Sequence, residues 1–114
     1  MNVVTDTSKL FEAERRVHHL VRPNFRITEM QISPTQEVPW HYHNHVQDTL
    51  HVVSGTIRIE LRGPIEEARL SPGQTFSIAP KRPHRVTNIG DTSANFIVLQ
   101  GNGEFDFAPI ARDK

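Results

Sequence analysis

The chain has 114 residues, enough for one ordinary domain, with 13 basic and 13 acidic residues and no cysteine. Balanced charge gives no net field toward nucleic acid or anionic lipid, and the lack of cysteine excludes disulfides, thiolate metal sites and cysteine nucleophiles. There is no basic stretch leading into an apolar run at the N-terminus, and no apolar run approaches the roughly 20 residues that span a bilayer, so the expectation is a cytoplasmic protein without nucleic-acid or membrane partners.

Residues 6–16 read as a short helix, with Asp6 or Thr7 as N-cap and Leu10, Phe11 and Ala13 as a weak apolar face. Val17 to Val21 reads as a first strand at a sheet edge or subunit contact, ended by Pro23. Residues 1–22 are therefore an N-terminal segment, and 23–114 a barrel domain. From Phe25 onward nearly everything reads as strand and turn. Phe25 to Ile32 lies between Pro23 and Ser33-Pro34, Val38 to His43 begins the next strand, and Asp48 to Val53 runs up to Ser54-Gly55. Thr56 to Leu61 sets Ile57, Ile59 and Leu61 against Arg58, Glu60 and Arg62, which is period two. Ala68 to Leu70, Gln74 to Ala79, His84 to Asn88 and Asn95 to Gln100 complete the series, and the tail carries Phe105 and Phe107 to cover an edge or meet a partner. Eight prolines and six glycines at short intervals suit such strands and turns. The expectation is an all-β sandwich or closed barrel, with the N-terminal helix as its one helical element.

The chain has seven histidines, of which His41, His43, His45 and His51 fall within twelve residues. In a strand, residues i and i+2 share a face, so His41 and His43 project side by side. Asp48 follows after a short turn and shares its face with Leu50 and Val52, which lets a hairpin bring a carboxylate opposite the two imidazoles. His84 opens a strand behind Pro80 and Pro83, whose fixed φ angles stiffen the approach. Three imidazoles and a carboxylate suit Fe(II), Mn(II), Co(II), Ni(II) or Zn(II). If the hairpin slips by one residue, Gln47 replaces Asp48 inside. His45 reads as a loop residue, His51 as facing outward, His18 and His19 as exposed, and Trp40 as packing near the mouth. Arg26, Gln36, Arg58 and Gln100 are candidates to line the cavity, with surface ion pairs the expected role of the two arginines.

The segment His41-x-His43-x4-Asp48-x6-Gly55 resembles the first cupin motif, with aspartate where that motif has glutamate. Gly73-x5-Ala79-x4-His84-x3-Asn88 resembles the second, with Ala79 in its proline slot and Lys81 in its glycine slot. This resemblance implies a cupin-like double-stranded β-helix, or jelly-roll barrel. It implies one divalent first-row metal on His41, His43 and His84, with Asp48 in the glutamate position, and a homodimer. Aspartate is one methylene shorter than glutamate, so Asp48 either ligates directly, acts through a water, or serves as a base. The implied function is that of a metal-dependent enzyme on a small carbonyl or carboxylate compound. The reaction would be oxygenation, as in an oxidoreductase, or isomerase- or lyase-type proton transfer. The alternative is a non-catalytic cupin that binds or senses a small ligand.

Overall fold

Alternating side chains along each strand become the two walls of one interior. The computed structural model describes residues 10–110. Its strands are β1 (Arg15–Arg22), β2 (Phe25–Ile32), β3 (Glu37–Tyr42), β4 (Gln47–Ser54), β5 (Ile57–Leu61), β6 (Glu66–Leu70), β7 (Thr75–Ile78), β8 (His84–Asn88), β9 (Ala94–Gly101) and β10 (Ala108–Pro109). They form two five-stranded sheets, in the orders β1-β2-β9-β4-β7 and β10-β3-β8-β5-β6, with every pair antiparallel. This is the double-stranded β-helix that the motifs imply.

The described residues contain no helix, and so none long and apolar enough to cross a membrane. The expected helix over 6–16 is corrected in its described part, while positions 6–9 lie outside the described residues. Leu10 to Glu14 form turns and bends, and Arg15 and Arg16 already belong to β1. Register against β2, with Arg15 opposite Gln31 and Arg16 opposite Met30, outweighs a weak local helical preference. β1 is an edge strand, as expected.

Register sorts the interior into layers. Ile32 faces Ala94 across β2 and β9, and Met30, Phe96 and Val52 form the next row across β2, β9 and β4. These rows meet Ile57 and Ile59 of the other sheet in one apolar cluster. Toward the opposite end the rows turn polar: Arg26, Gln100 and Asp48 lie in register across β2, β9 and β4, and His41 faces His84 across β3 and β8. The fold therefore places a polar layer from each sheet at the same end of the interior.

One irregularity aims the histidines. Val38 pairs with Val86 and His41 with His84, so β3 spends three residues where β8 spends two. This extra residue is a bulge. Simple alternation from the buried Val38 would turn Trp40 and Tyr42 inward, whereas His41 and His43 are the buried residues. Pro39, which lacks an N–H to offer the ladder, sits within the bulge. Trp40 lies outside, with the Arg62 guanidinium 4.1 Å from its ring centroid.

Two turn residues carry positive φ for visible reasons. Gly55 has φ +77°, and a Cβ there would sit 2.7 Å from Ala94 Cα and 2.8 Å from the Ser93 carbonyl oxygen. Lys81, in the motif's glycine slot, adopts φ 69°, and its amide donates to the His43 carbonyl at 2.6 Å. The strained position thus ties the loop before His84 to the residue carrying another imidazole. Gly55→Ala is expected to cost about 2 kcal/mol or more, read as a lower urea midpoint at unchanged slope.

Candidate metal centre

Two local devices and one distant contact orient the three imidazoles. His41 Nδ1 lies 2.7 Å from the Pro39 carbonyl oxygen inside the bulge, and His84 Nδ1 lies 2.9 Å from that of Arg82 in the preceding loop. His43 Nδ1 meets the Asp106 carbonyl. A carbonyl can only accept, so each Nδ1 carries the hydrogen and donates it. In the neutral ring each Nε2 is then a lone pair. Backbone partners of this kind commonly orient metal-ligating histidines.

Asp48 comes from the opposite sheet. Its Oδ2 is 3.0 Å from His43 Nε2 and 3.2 Å from His84 Nε2, and its Oδ1 accepts from Gln100 Nε2 at 2.9 Å. One oxygen is thus taken by its cross-strand neighbour while the other faces the imidazoles. The four donor atoms lie within 4.8 Å of one another. Relative exposures are 3 % for His41, 3 % for His43, 4 % for Asp48 and 1 % for His84. Ligands at about 2.1 Å from an ion stand about 3 Å apart when adjacent and about 4 Å when opposite, so the 3.0 and 3.2 Å separations match adjacent ligands, and the outer limit of 4.8 Å would contract slightly for all four to share one ion. The donor chemistry fits as well. With each Nδ1–H committed to a carbonyl, neutral rings and a carboxylate present only lone pairs to one another, and a proton or cation is needed between them.

Burial and charge set the proton inventory. Burial pushes His41 well below 6.5, and the neighbouring His84 and His43 push it further, which keeps it neutral. Burial also opposes charge on His43, but the Asp48 carboxylate outweighs it and raises His43 above 6.5. Asp48 is held well below the usual carboxylate range: burial alone would raise it, and the imidazoles of His43 and His84 override that.

The structure gathers the sequence's four candidate donors at one point. Gln47 is exposed, so the slipped register is not adopted. Exposed His45 and outward-facing His51, bound to Thr75 Oγ1 at 2.8 Å, are outside the cluster. Gln100 lines the cavity as expected, and its Nε2 donates to Asp48 Oδ1. Arg26 corrects the expectation of a surface ion pair. It is 5 % exposed, lines the cavity, and stacks its guanidinium 3.9 Å over the Phe105 ring. Arg58 does make a surface pair, with Glu60 at 3.4 Å, and Gln36 caps the Ser33 amide in a turn. His18 is largely exposed, yet its ring reaches the cavity wall. Asn88 binds the backbone around its turn through Ile32, Thr92 and Gly90.

The donors open onto a cavity of about 60 Å³, walled by apolar side chains that include Met30, Leu50, Phe96 and Val98. Its space corresponds to roughly four to six waters. Little in the local sequence announces its roof. Phe107 stacks on His41 at 4.2 Å and 12°, and Phe105 lies 5.5 Å from His43. Their alternate spacing was the one available signal, because the docking of a tail is a tertiary event.

The family described as Cupin domain matches residues 28–100. No curated protein sequence matches significantly. A conserved protein of Klebsiella pneumoniae subsp. pneumoniae MGH 78578 with a double-stranded β-helix domain superposes with a TM-score of 0.73 at 20 % identity, over 98 % of this chain and 100 % of that one. An oxalate oxidase superposes with a TM-score of 0.70 at 17 % identity, over 76 % of this chain and 46 % of that one. The oxalate decarboxylase OxdC of Bacillus subtilis gives 0.70 at 17 %, over 76 % of this chain. This chain spans 46 % of the oxidase and 24 % of the decarboxylase, and at such identities the likeness is one of fold.

A proton and a metal ion compete for His43 Nε2. Metal affinity is therefore expected to fall as pH drops through the raised His43 value, by about tenfold per pH unit below it. Without metal the sign reverses. The raised His43 then contributes stability that is full below 6.5 and is lost as pH rises through its folded value. Calorimetric melting with and without Zn(II), from mildly acid to mildly alkaline pH, checks both: the increment from metal should grow with pH.

Proposed function

This chain belongs to the cupin domain family, and from that premise we propose that it is a metal-dependent enzyme acting on a small carbonyl or carboxylate compound. The observation that carries the reading is the convergence of three buried Nε2 atoms and Asp48 Oδ2, with each Nδ1 held by a backbone carbonyl. His41, His43, His84 and Asp48 hold one divalent first-row ion, which supplies Lewis acidity and, if redox-active, one-electron chemistry. A six-coordinate ion held by these four donors would keep two positions for water or substrate.

The remaining groups have distinct tasks. Gln100 occupies Asp48 Oδ1 and Oδ2 faces the imidazoles, so Asp48 acts as ligand in preference to base. Three neutral ligands and one carboxylate leave a divalent site with net positive charge, which favours an anionic oxygen donor as substrate. Phe105 and Phe107 help exclude water. In a proton-transfer reaction, the imidazole of His18, which borders the cavity and lies 3.0 Å from Thr28 Oγ1, is the group outside the four donors placed to carry the proton. The superposed oxidase and decarboxylase are named for oxalate, and the cavity is on the scale of such a molecule. This supports the small-carboxylate class, and oxygenation and isomerase- or lyase-type proton transfer both remain within it.

One observation favours a second reading, a barrel that binds or senses a small ligand without turnover. Beyond the donors the cavity wall is mainly apolar and offers few groups for proton transfer. Consumption of substrate separates the two readings.

Elemental analysis of untagged protein beside the His41→Ala/His84→Ala double variant tests the centre. The expected result is about one equivalent of a first-row metal, lost in the variant. A folded protein that takes up no metal under any reconstitution condition contradicts the proposal. With iron bound, oxygen uptake on small carboxylates and dicarbonyls is then expected; with zinc, manganese or nickel, solvent-proton exchange into such compounds.

A further inference from the structure

The segment from Gly103 to Pro109 touches the centre at several points, and one contact differs in kind from the rest. His41 and His84 donate Nδ1–H to carbonyls two residues away along the chain, whereas the partner of His43 is 63 residues away. His43 also lies just past the end of β3, where its carbonyl accepts from the Lys81 amide but nothing local to the chain holds its ring. Its ring orientation therefore depends on where a distant stretch of chain docks.

We propose that Asp106 and Asn44 are positioning residues of the metal centre: their side-chain pair anchors the Asp106 carbonyl against His43 Nδ1 and so keeps His43 Nε2 aimed at the ion. The inference rests on the metal-binding reading above.

The anchor is built from several independent contacts. Asp106 Oδ1 accepts from the Asn44 backbone amide at 2.9 Å, and Oδ2 accepts from Asn44 Nδ2 at 2.6 Å. Asn44 is the residue directly after His43, so the carboxylate grips the chain next to the imidazole that its own carbonyl holds. Approach this close needs a glycine at Gly103, where a Cβ would stand 2.5 Å from the His45 carbonyl oxygen and 2.8 Å from His45 Cβ. At the other end Ala108 pairs with Tyr42 and Pro109 with His41, and the Ile110 amide donates to the Trp40 carbonyl at 3.0 Å. Phe107, stacked on His41, and Phe105, beside His43, fill the space between.

A segment that merely covered the cavity could do so with its two phenylalanines. This one also commits the carboxylate and the backbone carbonyl of Asp106, met by the amide group of Asn44, to the surroundings of a single imidazole. Coupling of this kind is reciprocal: docking favours metal, and metal favours docking.

The test uses the full chain and Co(II) as probe. Asp106→Ala and Asn44→Ala each keep every donor atom, and each is expected to weaken Co(II) binding by roughly 10- to 100-fold and to alter the Co(II) visible spectrum. The reciprocal variant Asn44→Asp/Asp106→Asn reverses donor and acceptor in the side-chain pair. It should recover most of the affinity and the wild-type spectrum. If both alanine variants match the wild type in affinity and spectrum, the inference is overturned and the metal centre stands. Nitrogen-15 shifts of the His43 ring, taken without metal at a pH where the ring is neutral, give a separate readout. The wild type should hold the Nδ1–H tautomer, and Asp106→Ala should lose that preference. An Nε2–H tautomer in the wild type overturns the inference even if the variants fail to fold. Failure of the wild type to bind Co(II) at all counts against the metal-binding reading, and the tautomer then decides the positioning claim alone.

Discussion

A carboxylate buried inside a β-barrel must be matched by opposite charge or give up its own, and Asp48 is such a group. Gln100, its cross-strand neighbour, satisfies one oxygen; the other looks at the Nε2 atoms of His43 and His84. The three imidazoles have their Nδ1 hydrogens committed to backbone carbonyls, so the centre has lone pairs in surplus and positive charge in deficit. Asp48 favours a proton on His43, which would meet that demand without metal, and a divalent ion held by the four donors would meet it as well. The bulge in β3, the strained turn at Lys81 and the docked C-terminal segment each serve to keep those lone pairs aimed at one point.

Much of this was legible in the sequence because it follows from period two. Ile57, Ile59 and Leu61 alternate with Arg58 and Glu60, and they are buried as that pattern requires. Asp48 shares its face with Leu50 and Val52, as alternation predicts, which sets it inside and Gln47 outside. The His41–His43 pair was also read correctly, though for an incomplete reason. Both face inward because an extra residue in the Pro39–Trp40 stretch resets the phase after Val38, and a bulge has no reliable signature in a single sequence.

The rest was hidden because it is tertiary. Arg26 follows the inward phase of Thr28, Met30 and Ile32, but a guanidinium is expected at the surface until an aromatic face is known to cover it. Nothing near Phe105, Asp106 or Phe107 says that the tail returns to His43. Leu10 to Glu14 carry a weak helical pattern, and the pairing of β1 with β2 prevails beyond it. Local preference, spacing and parity therefore located the donors, while the contacts that orient them required the fold.

The same features bear on the chemistry. A cavity of about 60 Å³ with aromatic and aliphatic walls limits the size of what can approach the donors. Selectivity in such a space would come from size and from what a bound ion accepts, more than from a network of polar contacts. The segment from Gly103 to Pro109 supplies part of the wall of this centre, through the Asp106 carbonyl at His43 Nδ1 and the rings of Phe105 and Phe107.

The central claim is that one ion sits among His41, His43, His84 and Asp48. Its most direct test is anomalous X-ray diffraction, at first-row metal absorption edges, from crystals of untagged protein purified without chelators. The account predicts a single peak about 2.0–2.3 Å from the three Nε2 atoms and Asp48 Oδ2. A centre with no such peak even after soaking in metal salts, and with Asp48 still hydrogen-bonded to His43 and His84, would contradict it.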